Sequence, residues 1–204
     1  MSTSSTRRRS ALVAAIISLA SVIGLVVGAG GAAAAPLAPV AKLDLTRYVG
    51  VWNQVAAIPA PFNIDCLRNT QARYTKLSDI DIKVENSCTP LVGPRRTIVG
   101  NARLNDKKTN AALHVSFPSV PFMNSKDGPS NYIVSYIAPD YSWALVGSSE
   151  RLSGFVLKRD KQVNASQWKQ IKQVVSSRGY NTCFFLTTPI DGAYPNTQPL
   201  CTVR

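Results

Sequence analysis

The feature that most constrains this chain is a series of short strand-like segments after Pro39, separated by Gly, Pro, Asn and Asp. In residues 80–86 isoleucine and valine alternate with charged residues, the period-two pattern of a half-buried strand. Eight such segments are predicted, at residues 51–57, 71–77, 80–86, 97–104, 111–117, 132–137, 142–147 and 154–159. Eight strands joined by short turns favour an all-β fold, either an up-and-down antiparallel barrel or a sandwich.

One segment near the C-terminus follows a helical pattern instead. Asn164 is a good N-cap, Trp168, Ile171 and Val175 recur at helical spacing, and Gly179 is placed to end the helix. The residues from Asn164 to Ser166 also form a glycosylation acceptor sequence, but a cap needs nothing beyond the helix itself, so capping is preferred. Residues 183–204 contain three prolines and are predicted to be an irregular tail.

The N-terminal segment differs from the rest of the chain. Three arginines at residues 7–9 precede an apolar run at residues 11–30 and four alanines at residues 32–35. This order predicts a cleaved secretory signal peptide over residues 1–35, which leaves residues 36–204 as one domain that is secreted or held in the cell envelope. The alternative is an uncleaved membrane anchor, because the apolar run is just long enough to span a bilayer.

The four cysteines, Cys66, Cys88, Cys183 and Cys201, all follow the predicted cleavage region. An even number in an exported chain predicts two disulfides. The pairs Cys66–Cys88 and Cys183–Cys201 are favoured because their members are close in sequence. A zinc site is the alternative, but there is no C-x-x-C pair and only one histidine, His114. We therefore expect no metal and no cofactor.

The chain is basic, with a formal net charge of +12, and its basic residues are dispersed and form no long run. Dispersed charge favours a solvated basic surface. A sharper interpretation is attraction to anionic lipid, cell wall or nucleic acid. Of these, we expect at most weak contact with an anionic membrane or the cell envelope, and no nucleic-acid binding.

A barrel of eight strands would enclose space for one small ligand if its inward side chains were not all large. Alternation places small and large residues together on the predicted inward faces, and puts His114 on the outer face. A one-residue slip in register would invert these faces. Three tyrosines in the set could donate hydroxyl hydrogen bonds to a carboxylate or headgroup. The predicted ligand-binding residues are Ala72, Tyr74, Ile82, Val84, Gly100, Ala102, Leu113, Val115, Tyr132, Val134 and Tyr136.

Three short motifs resemble the conserved blocks of the lipocalins. Gly50 and Trp52 form a G-x-W motif, Asp140 and Tyr141 resemble the turn of the second block, and Arg159 resembles the arginine of the third. Their order also fits the predicted strands and helix. The resemblance is to the bacterial and apolipoprotein D-like members of that family. It departs from many of them in residue 53, here Asn where they have Tyr, and in residues 117–122, where they have an aromatic- and glycine-rich segment.

The resemblance implies an eight-stranded antiparallel up-and-down barrel with one α-helix packed on it. It further implies that Arg159 packs across the face of Trp52 at the closed end of the barrel, as a structural plug without a catalytic role. The implied function is a secreted carrier of a small hydrophobic or amphiphilic ligand of the fatty acid, lysophospholipid or isoprenoid class. The oligomeric state is left open.

Two other functions compete with a carrier. The first is an envelope-surface protein that binds anionic lipid or polymer through its basic surface. The second is a lipocalin-type enzyme that uses a thiol or an acid inside the barrel. An enzyme is disfavoured because the cysteines are expected to be oxidised and no G-x-S-x-G motif is present.

Overall fold

The computed structural model describes residues 35–60 and 66–204, so the predicted signal peptide lies outside the described residues except for Ala35. Within those ranges, no helix is both long and apolar enough to cross a membrane. Two short 3-10 turns occur at Thr182–Phe184 and Leu200–Thr202. The helices and strands are α1 Leu45–Tyr48, β1 Gly50–Ala57, β2 Arg68–Lys76, β3 Asp81–Thr89, β4 Arg96–Leu104, β5 Ala112–Ser116, β6 Tyr132–Ile137, β7 Trp143–Gly147, β8 Gly154–Lys158, α2 Ala165–Ser177 and β9 Leu186–Thr187.

The first eight strands form a closed antiparallel barrel. Each strand pairs with the next along the chain, and β1 pairs with both β2 and β8. Strand β1 closes the barrel by pairing on both of its edges. Trp52 lies opposite Ala72 of β2, and Asn53 lies opposite Lys158 of β8. The predicted all-β barrel is therefore confirmed, and the alternative of a sandwich is wrong.

The connectivity gives the barrel two different ends. The loops that follow β1, β3, β5 and β7 meet at one end, which we call the open end. The loops that follow β2, β4 and β6 meet at the other, the closed end. The chain before β1 crosses the closed end, where the Leu43 amide donates to the Thr109 carbonyl (2.7 Å) and the Asp44 amide donates to the Tyr141 hydroxyl (2.9 Å).

Helix α2 packs on the outside of the barrel, as predicted. The Asn164 side chain accepts from the Gln167 amide, and the Gln167 side chain accepts from the Asn164 amide, which completes a capping box. Gly179 follows the helix with φ +79°, a conformation that favours glycine. Trp168, Ile171 and Val175 are buried between the helix and the barrel wall. We call this layer the outer core, to distinguish it from the core inside the barrel.

The C-terminal tail is more ordered than the sequence predicts. Its two-residue strand β9 pairs with β1, and Phe185 and Leu200 are fully buried in the outer core. The Cys183–Cys201 disulfide holds the two 3-10 turns together. The prolines predicted irregular structure, but the apolar residues between them bury a surface large enough to fix the tail.

The two predicted disulfides are both present, Cys66–Cys88 and Cys183–Cys201, so every cysteine of the chain is paired. Cys66–Cys88 links the chain just before β2 to the end of β3, at the open end of the barrel.

Candidate ligand-binding cavity

The closed end of the barrel is built around Trp52, which is fully buried. The guanidinium carbon of Arg159 lies 3.7 Å from the centroid of the indole ring, within the range of a cation–π contact. The indole nitrogen donates to the Tyr48 carbonyl at 2.8 Å. Gly50 has φ +101°, and a β-carbon there would lie 3.2 Å from Nη1 of Arg159. The glycine thus provides both the backbone conformation and the space that the arginine needs.

Arg159 also satisfies the backbone of the segment that enters β1. Its Nη1 donates to the Val51 carbonyl at 2.8 Å. Its Nη2 lies within hydrogen-bond distance of the carbonyls of Arg47, Tyr48 and Val49, at 2.7, 3.1 and 2.9 Å. Burial lowers the pKa of the guanidinium, although arginine stays charged at any physiological pH. The positive charge therefore lies at the base of the barrel.

A second arginine–aromatic contact supports the same end. The guanidinium carbon of Arg47 lies 4.0 Å from the ring centroid of Tyr141, which has φ +61°. Asp140 stabilises this turn by accepting from the amide and hydroxyl of Ser142, at 3.0 and 2.7 Å. These hydrogen bonds, the hydroxyl first, lower the pKa of the Asp140 carboxyl. Asp140 and Tyr141 therefore hold the β6–β7 turn against the chain that precedes β1.

A cavity of about 880 Å³ lies inside the barrel above this plug. Eight of the eleven predicted ligand-binding residues line it: Ala72, Tyr74, Ile82, Val84, Ala102, Leu113, Val115 and Tyr132. Their faces alternate correctly because β2 to β5 pair in register near the floor and the middle of the cavity. The lining is mainly apolar with a few polar groups, the composition typical of small-molecule sites.

Three predicted residues do not line the cavity. At Gly100 the inward space is occupied, since a β-carbon there would lie 2.6 Å from the Phe117 ring and 2.3 Å from the Ser116 carbonyl. Val134 faces inward but is fully buried among other core side chains. Tyr136 lies on the opposite face, with its ring centroid 4.4 Å from that of Trp143.

The prediction for Tyr136 is wrong because of an irregularity in β6. The pairing between β6 and β7 shifts between Val134 and Tyr136, so Ser135 is an extra residue in the strand. A bulge of this kind reverses the alternation of side chains beyond it. Tyr136 therefore faces the outer core, whereas strict alternation would place it beside Tyr132.

The floor of the cavity carries three tyrosines, one of which the sequence analysis missed. The Tyr132 hydroxyl lies 2.7 Å from that of Tyr48 and 2.9 Å from that of Tyr74. The rings of Tyr48 and Tyr74 stack, with centroids 5.7 Å apart. Burial raises the pKa of Tyr74 to about 12 and the pKa of Tyr48 and Tyr132 well above its usual value. We call these three residues the tyrosine floor.

Two further polar groups lie higher in the cavity. The side-chain oxygens of Thr70 on β2 and Asn86 on β3 are buried and have no hydrogen-bond partner among the described residues. Both residues line the cavity. Both residues continue the inward alternation of their strands, but Thr70 precedes the predicted strand at residues 71–77 and the predicted lining of β3 ended at Val84.

The open end of the cavity is bordered by loops. Phe117, Val120 and Met123 from the β5–β6 loop line it, and so does Leu152 from the β7–β8 loop. The Cys66–Cys88 disulfide lies at the same edge. A ligand that enters from this end would therefore pass between apolar side chains before it reaches the tyrosine floor.

His114 lies on the outer face, where its Nδ1 is 2.8 Å from the Pro129 carbonyl and its Nε2 is 3.1 Å from the Ser125 carbonyl. Both ring nitrogens thus contact the β5–β6 loop. In the part of the chain that the structure describes, no group of three or more His, Cys, Asp or Glu residues is placed to hold a metal ion.

A closed antiparallel barrel with an apolar cavity, plugged at one end and bordered by loops at the other, defines a β-barrel ligand-binding protein. The family model described as a lipocalin-like domain matches residues 43–190. The chain therefore belongs to the lipocalin family. Lipocalins are in general proteins that bind and transport small hydrophobic ligands.

Individual relatives agree with this assignment. The chain is 34% identical over 160 residues to temperature-induced lipocalin-1 of Arabidopsis thaliana, covering 77% of this chain and 86% of the plant protein. It is 27% identical over 114 residues to mouse apolipoprotein D, covering 53% and 59% of the two chains. Insecticyanin from the tobacco hornworm Manduca sexta shares the fold, with a TM-score of 0.56 at 17% identity, over 79% of this chain and 92% of that chain.

Proposed function

We propose that this lipocalin is an exported carrier that holds one elongated hydrophobic or amphiphilic molecule inside the barrel, and that it performs no chemistry on that molecule. The candidate ligands are fatty acids, lysophospholipids and isoprenoids. The observation that carries the proposal is the cavity of about 880 Å³, which lies within the range of about 300–1,000 Å³ of small-molecule sites.

The apolar lining supplies the binding energy in this proposal. Burying about ten methylenes at about 0.8 kcal/mol each gives about 8 kcal/mol before the costs of association and ordering. Those costs offset part of the gain, so the expected dissociation constant is of micromolar order.

Two measurements test the proposal. Mass spectrometry of lipids extracted from the purified protein identifies what the barrel carries after expression. Calorimetric titration with fatty acids, lysophospholipids and isoprenoids then ranks the classes. The proposal is wrong if the delipidated protein binds none of them below about 100 micromolar.

Export is the second part of the proposal. Two disulfides are consistent with an oxidising compartment. Leu37 is buried in the outer core, and its amide donates to the Ser149 carbonyl at 2.9 Å. A cleavage site that keeps this contact lies before Leu37, so we expect the mature chain to begin at about residue 34 to 36. N-terminal sequencing of the exported protein tests this, and an intact Met1 would contradict it.

Contact with an anionic membrane or the cell envelope is a second candidate function, and one observation favours it. Large apolar side chains protrude from the open-end loops, among them Leu91 and Val92 after β3, Phe122 after β5 and Leu152 after β7. Apolar tips on a basic protein suit the surface of an anionic bilayer. Sedimentation with vesicles of anionic and of zwitterionic lipid tests this, and equal absence from both pellets would contradict it.

A further inference from the structure

The tyrosine floor contains more hydrogen-bond donors than it uses. Three hydroxyls carry three hydrogens, and the two contacts through Tyr132 use two of them. Among the described residues, these hydroxyls make no other hydrogen bond. Whichever way the two contacts are oriented, one O–H of the three has no acceptor in the part of the chain that the structure describes.

The surroundings of the floor keep these groups as donors. Burial raises the pKa of all three phenols, so each one retains its proton at neutral pH. The positive charge of Arg159 also acts on Tyr48 and Tyr74 from below. A buried O–H without an acceptor is unfavourable, and a positive potential adds a preference for negative charge at the same place.

We propose that the tyrosine floor is the binding site for an acceptor oxygen at the deep end of the ligand, and that a carboxylate fits it best. The inference rests on the proposed function, because it requires a ligand inside the barrel. It adds an orientation, with the carboxylate at the closed end and the chain directed toward the open end. It also predicts discrimination against ligands whose polar end can only donate.

A matched series of probes tests the orientation. Hexadecanoic acid, hexadecan-1-ol and hexadecylamine share one chain and differ only in the polar end. The carboxylate accepts, the alcohol accepts and donates, and the ammonium group only donates. We expect the acid to bind the wild type at least about tenfold more tightly than the amine, with the alcohol between them, since a hydrogen bond to a charged group supports a factor of that size.

The basic surface of the protein could also favour an acid, so variants must separate the two causes. The triple variant Tyr48→Phe/Tyr74→Phe/Tyr132→Phe removes every donor of the floor, and should reduce the acid-to-amine ratio by about tenfold with little change in amine binding. Tyr136→Phe is the control, because it is the same type of change in the strand of Tyr132 but outside the barrel. It should leave the ratio unchanged.

A single variant and a direct signal cover the case in which the triple variant does not fold. In Tyr132→Phe the hydroxyls of Tyr48 and Tyr74 lose the partner they share, which leaves two O–H groups for the ligand, so the acid-to-amine ratio should rise. In the wild type, hexadecanoic acid should perturb the near-ultraviolet absorption of tyrosine, whereas hexadecylamine should not. If all three probes bind equally to the wild type, if the folded triple variant keeps the wild-type ratio, or if Tyr132→Phe lowers it, the inference is wrong while the carrier function stands. If none of the probes binds but an isoprenoid or a lysophospholipid does, the inference is wrong and the carrier function stands; if none of those classes binds, both are wrong.

Discussion

A β-carbon on residue 50 would stand 3.2 Å from Nη1 of Arg159, and the glycine found there has φ +101°. The close approach lets the guanidinium lie over Trp52 while it donates to the backbone of the entering chain. The G-x-W motif is thus one half of a contact whose other half lies 109 residues further along the chain, at the end of β8.

Gly50→Ala should lower the free energy of unfolding by about 1–3 kcal/mol through backbone strain, with an added loss from displacement of Arg159. Gly93→Ala is a matched control, since Gly93 has φ +95° but a β-carbon added there would meet no atom within 4 Å. Urea unfolding of both variants separates the two effects. Equal losses would show that the contact with Arg159 contributes nothing.

Arg159→Lys keeps the positive charge but loses the planar group that covers Trp52 and reaches several carbonyls at once. We expect this variant to lose about 1–3 kcal/mol of stability, because part-buried carbonyls are left without donors. Arg47→Lys provides the comparison, because Arg47 covers Tyr141 near the surface and makes one hydrogen bond of 3.3 Å to Pro139. Thermal and urea unfolding should show the larger loss for Arg159→Lys, and the reverse order would refute the central role of Arg159.

Ala102→Trp should fill the cavity. Ala102 is buried on β4 between Ile82 and Val115, and all three line the cavity. Binding of hexadecanoic acid should weaken at least about tenfold, while overpacking should cost about 1–3 kcal/mol of stability. Val99→Trp is the control, since Val99 lies on the same strand and its side chain is 47% exposed. Unchanged binding in folded Ala102→Trp would place the ligand outside the barrel.

The tyrosine floor predicts a loss of stability at alkaline pH. Unfolded tyrosine ionises with a pKa near 10, whereas burial raises the pKa of Tyr74 to about 12 in the folded protein. The stabilisation from a neutral Tyr74 is therefore complete below pH 10 and is lost as the pH rises from 10 toward 12. Urea unfolding at pH 9 and pH 11 measures the fall. Tyr74→Phe cannot ionise at this position, so its stability should fall less over the same interval.

The two disulfides should differ in what their removal changes. Each closes a loop of about 20 residues, so the double variants Cys66→Ser/Cys88→Ser and Cys183→Ser/Cys201→Ser should each lose about 3 kcal/mol of stability. Only Cys66–Cys88 lines the cavity. We therefore expect faster release of a bound fatty acid from the first variant alone, as measured by stopped-flow displacement. Equal release rates in the two variants would contradict this.

The sequence predicted the strands and most of the cavity lining because strands such as β2 and β3 have one buried face and one more exposed face. In β3, Ile82 and Val84 alternate with charged residues, and this pattern alone fixes which side chains face inward. The helix could also be predicted from the sequence, because its cap and its apolar spacing are local signals. Cysteine spacing was enough to favour the pairs that form.

The missed residues depend on contacts that are not local in sequence. Tyr48 lies in a four-residue helix that is too short to show a period, and it reaches the floor only because its segment crosses the closed end. Gly100 has the expected strand position, but the ring of Phe117 covers it from the start of the β5–β6 loop. The alternation within β4 carries no information about a side chain from another part of the chain.

Ser135 changes which residues of β6 face the barrel interior. Before it, even-numbered residues such as Tyr132 and Val134 face the barrel interior, and beyond it the even-numbered Tyr136 faces the helix layer. Strand β6 therefore contributes side chains to both the core inside the barrel and the outer core, and the even-numbered residues change from one to the other at Ser135. Deleting Ser135 would make Val134 and Tyr136 chain neighbours opposite Val146 and Leu145, the partners they already have, so both residues would keep their faces and the strand would lose only its bulge.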